Sequence, residues 1–223
     1  MTVAHPNKKS VFLVDDHPLV RDWLSRLINE ETDLTVCGWA DKAEDAIAGI
    51  SKLHPDVIIV DIGLRGKSGM ELIRFLTDQN PDELILVLSM HDEAVYASRA
   101  LKAGARGYVS KRETTEKVTA AIRKILAGGM YISQSLAESL ALGLSRGRKV
   151  TLANDVSLLS DRELEVFRLM ATGRETSDIA KDLSVSLKTV QSYCARIKDK
   201  LNLRNATELL QAATRWFDAQ NDG

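Results

Sequence analysis

The sequence predicts an α/β fold, a doubly wound five-stranded parallel sheet, followed by a small all-α domain. Three observations carry this. Short apolar runs alternate with amphipathic stretches from residue 11 to about residue 128, the pattern of parallel strands joined by crossover helices. No strand pattern remains after Ser157. The 223 residues are long for one compact domain and comfortable for two.

The strands read as 11–14, 34–39, 57–60, 84–88 and 107–109. Helical periodicity falls between them at 19–28, 43–53, 70–78, 94–103 and 116–126, with Leu24, Leu27 and Ile28 on one apolar stripe. Gly128 and Gly129 end the last of these helices. The stretch 131–155 then mixes a short helical patch with the Gly/Arg/Lys run 144–149, which reads as a flexible linker. Ser135 and Glu138 have capping-box spacing, which predicts a linker helix to about residue 142. The tail reads as helices at 161–172, 177–183, 187–201 and 206–219. Ser160 with Glu163 and Asn205 with Glu208 are spaced as capping boxes, and Ser186 is an N-cap for the third of these helices. The domains are therefore drawn at 9–129 and 157–223, with a partly helical linker over 130–156.

Composition excludes several classes. With 44% hydrophobic and 27% charged residues the chain is neither disordered nor fibrous. A net charge of -1 gives no whole-chain sign of nucleic-acid binding, so any basic surface is local. Cys37 and Cys194 are far apart and read as reduced and buried. His5, His17, His54 and His91 are scattered, which argues against a zinc site. No apolar stretch is long enough to span a bilayer and none follows the polar start as a signal would, so a cytoplasmic location without membrane contact is expected.

In a doubly wound sheet, chemistry collects at the carboxyl ends of the strands near the switch in strand order. Asp15, Asp16 and Asp61 fall at two such ends. Crowded carboxylates raise one another's pKa unless a cation joins them, and Mg²⁺ suits an oxygen-only site that awaits a phosphate. Taken singly, each aspartate also reads as an ordinary cap of the following turn. Ser89 at the end of the fourth strand and Lys111 after the fifth converge on the same rim.

This set resembles the receiver domain, the CheY-like fold, in the segments Phe12-Leu-Val-Asp-Asp-His-Pro18, Val57-Ile-Ile-Val-Asp61, Leu88-Ser-Met-His-Asp92 and Gly104-Ala-Arg-Gly-Tyr-Val-Ser-Lys111. The resemblance implies a 2-1-3-4-5 strand order. It implies that Asp61 is the phosphoryl acceptor, with Asp16 binding Mg²⁺ directly, Asp15 binding it through water, and Gly63 lending its carbonyl. Lys111 would pair with a phosphoryl oxygen, Ser89 would be the switch hydroxyl and Tyr108 the switch aromatic. The phosphoryl group would come from a phosphohistidine on a partner histidine kinase. Two departures stand out: Arg65 replaces a proline usual in the loop after Asp61, and Arg112 stands where many receivers carry proline. The first leaves the loop backbone less restricted. The second is common in the NarL/FixJ group.

The tail contains Leu159-Ser-Asp-Arg-Glu-Leu-Glu-Val166, a segment running from Thr176 to Val190, and Lys200-Leu-Asn-Leu-Arg-Asn-Ala206. These resemble the LuxR-type helix-turn-helix. Ile179, Ala180 and Leu183 form the buried stripe of its first helix, and Val190, Ile197 and Leu201 that of its second. Lys188, Arg196, Lys198, Lys200 and Arg204 concentrate positive charge along the second helix and its exit. The resemblance implies phosphate contacts from Lys188, Thr189, Arg196 and Arg204, and base-facing positions at Gln191, Ser192 and Ala195. Gln191 matches the edge of adenine and Ala195 a thymine methyl. The last helix carries Leu209, Leu210, Ala213, Trp216 and Phe217 on one apolar face, which either pairs two copies, as in the family, or closes the domain core. A two-fold dimer would read an inverted repeat in a promoter.

The function expected is a DNA-binding response regulator of a two-component system and not an enzyme, with phosphorylation of Asp61 controlling dimerisation and transcription. Two rivals remain: a degenerate receiver controlled by protein partners, and a Mg²⁺-dependent phosphohydrolase. The second lacks an acidic residue two positions after Asp61, where Gly63 sits.

Overall fold

The computed structural model describes residues 8–64, 68–90, 93–134, 136–138 and 156–221. The chain divides into two compact units, Met1–Leu140 and Ala141–Gly223. In the first, among the described residues, five strands alternate with five helices: β1 (Lys9–Val14), α1 (Pro18–Glu30), β2 (Leu34–Ala40), α2 (Ala43–Leu53), β3 (Val57–Val60), α3 (Gly69–Gln79), β4 (Ile85–Ser89), α4 (Glu93–Lys102), β5 (Gly107–Ser110) and α5 (Thr115–Leu126). All pairings are parallel, in the order β2-β1-β3-β4-β5.

The central strands read as unbroken apolar runs because both faces of the sheet are covered. Val11, Leu13, Ile59, Leu86, Leu88 and Val109 point to one face, where they pack with Leu24 and Ile28 of α1 and Val118, Ala121, Ile122 and Ile125 of α5. The alternate residues turn to the other face, as the pleat requires. There Phe12 meets α2 so closely that a Cβ on Gly49 would lie 2.7 Å from its ring. The register Val14↔Val60 puts the ends of β1 and β3 side by side. The residues that follow both strands are the aspartates.

Residues just past α5 stay attached to the sheet. Tyr108 N–H donates to the Tyr131 carbonyl at 2.9 Å, Tyr131 N–H to that of Arg106 at 3.0 Å, and Ser133 N–H to the Glu93 carboxylate at 3.1 Å. The chain over 130–133 is therefore held by the first unit, although its sequence reads as the start of a linker. The linker run 144–149 and most of the helix expected from Ser135 lie outside the described residues.

Among its described residues the second unit has a 3₁₀ turn (Val156–Leu158) and four helices: α6 (Asp161–Ala171), α7 (Thr176–Asp182), α8 (Leu187–Leu201) and α9 (Ala206–Asn221). The Ser160–Glu163 capping box is present in both directions, and Ser186 accepts from Thr189 N–H at 3.1 Å. At α9 the expected box is offset. Asn205 Oδ1 accepts from Glu208 N–H at 2.9 Å, but the Glu208 carboxylate reaches back to the N–H of Arg204, at 2.8 Å. Cys37 and Cys194 are half-buried rather than buried.

One close approach ties fold to site. A Cβ on Gly69, the first residue of α3, would lie 2.0 Å from the Asp61 carbonyl oxygen. That neighbour is backbone and has no room to yield. Gly69→Ala is expected to lower stability by about 1–3 kcal/mol, the usual cost of overpacking, read as a fall in the urea midpoint of the full-length protein.

Candidate functional site

The acidic pocket sits where the strand order switches, between the carboxyl ends of β1 and β3. Asp61 N–H donates to the Val14 carbonyl at 2.8 Å and Asp15 N–H to that of Ala40 at 3.1 Å, so the sheet ladder itself sets the two carboxylates side by side. Lys111 arrives from β5, its N–H bonded to the Ser89 carbonyl at 2.9 Å. Its ammonium, 5% exposed, lies 2.6 Å from Asp15 Oδ2 and 2.6 Å from Asp61 Oδ2. Burial alone would push the Lys111 pKa down. The charge of Asp61 and the hydrogen bonds to Asp15 and Asp61 outweigh it and hold the pKa above that of an ordinary lysine.

Asp15, Asp16, His17 and Asp61 each offer a ligand atom within 4.8 Å of the others. His17 Nδ1 stands 2.9 Å from Asp16 Oδ1 and 3.2 Å from Asp15 Oδ1. Three carboxylates against one ammonium leave two negative charges in a largely buried site, which a divalent cation balances. The donor set thus fits a metal of the Mg²⁺ type. Gly63, expected to contribute its carbonyl, touches Asp61 through its N–H, which donates to Oδ1 at 3.2 Å. Leu64 is buried and anchors the start of that loop, whereas Arg65 lies outside the described residues.

Ser89 and Tyr108 are both buried, and their side chains are hydrogen-bonded to each other. Burial raises the Tyr108 pKa, and the Ser89 bond offsets only part of the rise. The aromatic ring therefore already lies inside, on the hydroxyl that stands at the rim of the pocket.

In the second unit, α7 and α8 are joined through Ser184, whose φ of 53° makes the tight turn. Val190, Ile197 and Leu201 are buried, and α8 packs against α6 and α7. The opposite face shows Lys188, Gln191, Ser192, Ala195 and Arg196 to solvent, at the i, i+3, i+4, i+7, i+8 spacing that aligns side chains on one helix face. The side chains of Lys188 and Arg196 make no ion pair among the described residues. Two expected contributors are partly engaged: Thr189 Oγ1 is 2.8 Å from Ser186 Oγ, and Ser192 Oγ donates to the Lys188 carbonyl at 2.9 Å. Lys200 leaves the basic stripe, because its ammonium is bonded to buried Glu163 at 2.6 Å. Arg204 is exposed just beyond α8. On α9, Leu209 and Ala213 are buried within the domain and Trp216 stacks at a tilt on Phe167, centroids 5.6 Å apart. Phe217 is half-buried, and Leu210, 45% exposed, stays outside.

The response regulator receiver domain matches residues 11–123, and the luxR family of bacterial regulatory proteins matches residues 157–213. Over 206 residues the chain is 33% identical to the response regulator UvrY of Escherichia coli (strain K12), covering 92% of this chain and 94% of that protein. The chain belongs to the LuxR-type response regulators. That is a family of transcription regulators and not of enzymes. GacA of Pseudomonas aeruginosa is 35% identical over 205 residues, 92% of this chain and 95% of its own. Among solved structures, RcsB from Salmonella enterica serovar Typhimurium, bound to a promoter in the presence of the phosphomimetic BeF3-, aligns with a TM-score of 0.63 and 26% identity, over 94% of this chain and 100% of that one.

Within this regulator, three site contributors were not singled out from the sequence. His17 joins the pocket because it directly follows the aspartate pair, and adjacency was the available signal. Arg21, one turn into α1, donates to the Asp15 carbonyl at 2.6 Å and lies 4.4 Å over the Trp39 ring, a pairing with no local sequence signature. Gly69 opens α3 directly after the loop that follows Asp61, where a glycine looks in the sequence like ordinary turn chemistry. No helix among the described residues is long and apolar enough to cross a membrane.

The Glu163–Lys200 tie gives the second unit a pH dependence. Burial pushes the Glu163 carboxyl up, but the bonds from Lys200 and Ser160 outweigh it and hold the pKa below the usual 4.5. A depressed acid contributes stability that is present above its unfolded value and lost as pH falls through the folded one. Glu163→Gln in the full-length protein should therefore lower the urea midpoint of the LuxR-type domain at neutral pH, and the gap to wild type should close as pH drops below 4.5.

Proposed function

We propose that the protein is a cytoplasmic transcription regulator in which Asp61 accepts a phosphoryl group from a partner histidine kinase and α8 reads promoter DNA. The observation that carries this is the Lys111 ammonium shared between Asp15 and Asp61 at 2.6 Å each, inside a cluster with a divalent cation's charge deficit. The Asp61 carboxylate attacks phosphorus in line, opposite the leaving group. Lys111 exchanges its contact with Asp61 for one with a phosphoryl oxygen. Asp16, Asp61 and the Gly63 carbonyl, with Asp15 through water, would hold a Mg²⁺ ion, which would supply charge neutralisation on the other phosphoryl oxygens. The new dianion draws the Ser89 hydroxyl toward it, and Tyr108 loses that partner and repacks.

In the LuxR-type domain, Lys188, Thr189, Arg196 and Arg204 hold DNA phosphates and Gln191, Ser192 and Ala195 face the bases. Phosphorylation promotes pairing of two copies through the last helix, with Leu210 outermost and Leu209, Ala213, Trp216 and Phe217 supporting it from within. A two-fold pair spaces its half-sites by roughly 34–36 Å on an inverted repeat.

Incubation with acetyl phosphate and Mg²⁺ should load an acyl phosphate that Asp61→Asn cannot carry, and should tighten binding to a promoter fragment obtained by binding-site selection. An unloaded wild type, or an Asp61→Asn variant that responds to phosphodonor like wild type, would overturn the reading. In the same assay Lys188→Ala or Arg196→Ala should weaken binding across all sequences and reduce the slope of log K against log salt by about 1. Gln191→Ala should instead cost about 1–3 kcal/mol at one base position and relax the preference there.

A further inference from the structure

The peptide that joins Asp15 to Asp16 is planar, so fixing its carbonyl also fixes the direction from which the Asp16 side chain leaves the backbone. Both residues stand past the last residue of β1, Val14, and α1 does not begin until Pro18. The sheet holds this corner from one side, where Asp15 N–H donates to the Ala40 carbonyl at 3.1 Å. A side chain holds it from the other. Arg21 Nη1 donates to the Asp15 carbonyl at 2.6 Å, and a charged donor makes such a bond stronger than a neutral one would.

A long arginine side chain loses conformational entropy when it is held in one place. Trp39 reduces that loss by seating the guanidinium on its ring, 4.4 Å from carbon to centroid. The tryptophan is otherwise out of place, being 57% exposed on β2, the edge strand of the sheet. It directly precedes Ala40. Two neighbouring residues of β2 therefore grip Asp15 at both ends, Ala40 through the N–H and Trp39, by way of Arg21, through the carbonyl. β2 itself contributes none of the clustered ligand atoms.

We infer that Arg21, seated on Trp39, is a positioning residue of the acidic pocket, which aims the Asp16 carboxylate at a divalent cation by holding the Asp15 carbonyl. The inference rests on the reading of the pocket as a Mg²⁺ site and extends it to an exposed ring on a strand that supplies no ligand. A cation beside such a site acts in two opposed ways. Its charge repels a second cation, so on charge alone its removal would tighten Mg²⁺ binding. Its hold on the ligand's backbone favours binding, so loss of the hold weakens it. The sign of the effect separates the two.

The test is a Mg²⁺ titration of the full-length protein by tryptophan fluorescence, with Trp23, beside His17 and Lys111, as the reporter present in every variant. The Mg²⁺ dependence of acyl phosphate formation from acetyl phosphate is followed in parallel. Arg21→Lys keeps the charge but loses the planar fork and the stacking, and should weaken Mg²⁺ binding roughly tenfold. Arg21→Ala should weaken it as well. Trp39→Ala leaves every charge in place and should weaken binding about two- to fivefold, the loss of one exposed cation–π pairing, with excess Mg²⁺ recovering the loading rate. Trp39→Phe keeps an aromatic face and should bind Mg²⁺ more tightly than Trp39→Ala. Because Trp39 is exposed, its replacement is compatible with folding, and the urea midpoint is measured alongside. Unchanged Mg²⁺ affinity in both Arg21→Lys and Trp39→Ala, whatever the urea midpoint, would reduce the pairing to a structural contact and overturn the inference. Tighter binding in Arg21→Ala would overturn it too, as an effect of charge alone. Absence of Mg²⁺ binding by the wild type would overturn the reading of the pocket and this inference with it.

Discussion

The interaction on which the first domain's chemistry depends is the Lys111 ammonium held between two buried carboxylates. Two like charges about 4 Å apart repel by roughly 4 kcal/mol at an effective dielectric near 20, and this pocket gathers three acids. Lys111 offsets part of that repulsion and leaves the rest. The remainder is a standing demand for positive charge, which a divalent cation would meet.

The fold delivers these groups by hydrogen-bond ladders and not by side-chain reach. Asp15 and Asp61 are adjacent because β1 and β3 are adjacent and in register to their last residues. Lys111 comes in because its backbone is bonded to that of Ser89. The same strand end carries the Ser89 side chain, which is bonded to Tyr108 on the neighbouring strand. On the proposed reading, a phosphoryl group at Asp61 that drew the Ser89 hydroxyl toward it would reach a buried aromatic through that one group. Packed interiors respond to such an exchange of partner by repacking and not by gradual deformation.

Much of this was legible in the sequence. Strand runs such as Val57 to Val60 are too short and too apolar for anything but buried strands, and the helices of the second unit announce themselves through Ser160 and Ser186. What escaped is what depends on meeting across the fold. Arg21 on the Asp15 carbonyl, Gly69 under Asp61 and Lys200 on Glu163 are pairings with no signature in the local sequence, where Glu163 reads only as a capping-box acid and Lys200 only as one of a basic run. The boundary after α5 escaped for a related reason. Gly128 and Gly129 do end the helix, but Tyr131 then returns to bond beside β5, and composition gives no sign of that. His17 has no second histidine at ligand spacing in the sequence, whereas in the fold its single imidazole joins carboxylates.

On the proposed reading, α8 has to meet DNA without being distorted by it. A reading helix must present side chains while its backbone stays fixed, since mobility in the helix would be lost on binding as an entropic cost. α8 separates the two tasks by face. Val190, Ile197 and Leu201 are sealed into the domain, and Lys200 is drawn off the basic stripe to hold buried Glu163 at the capping box of α6. That tie removes one cation from the surface and fixes the far end of the helix against the start of another. The cations left on the outer face, Lys188 and Arg196, are uncommitted among the described residues, so their charge is available to phosphate without first breaking an ion pair. Local charge would thus outweigh the near-neutral average of the chain, because only the charges that the fold leaves unspent would take part in binding.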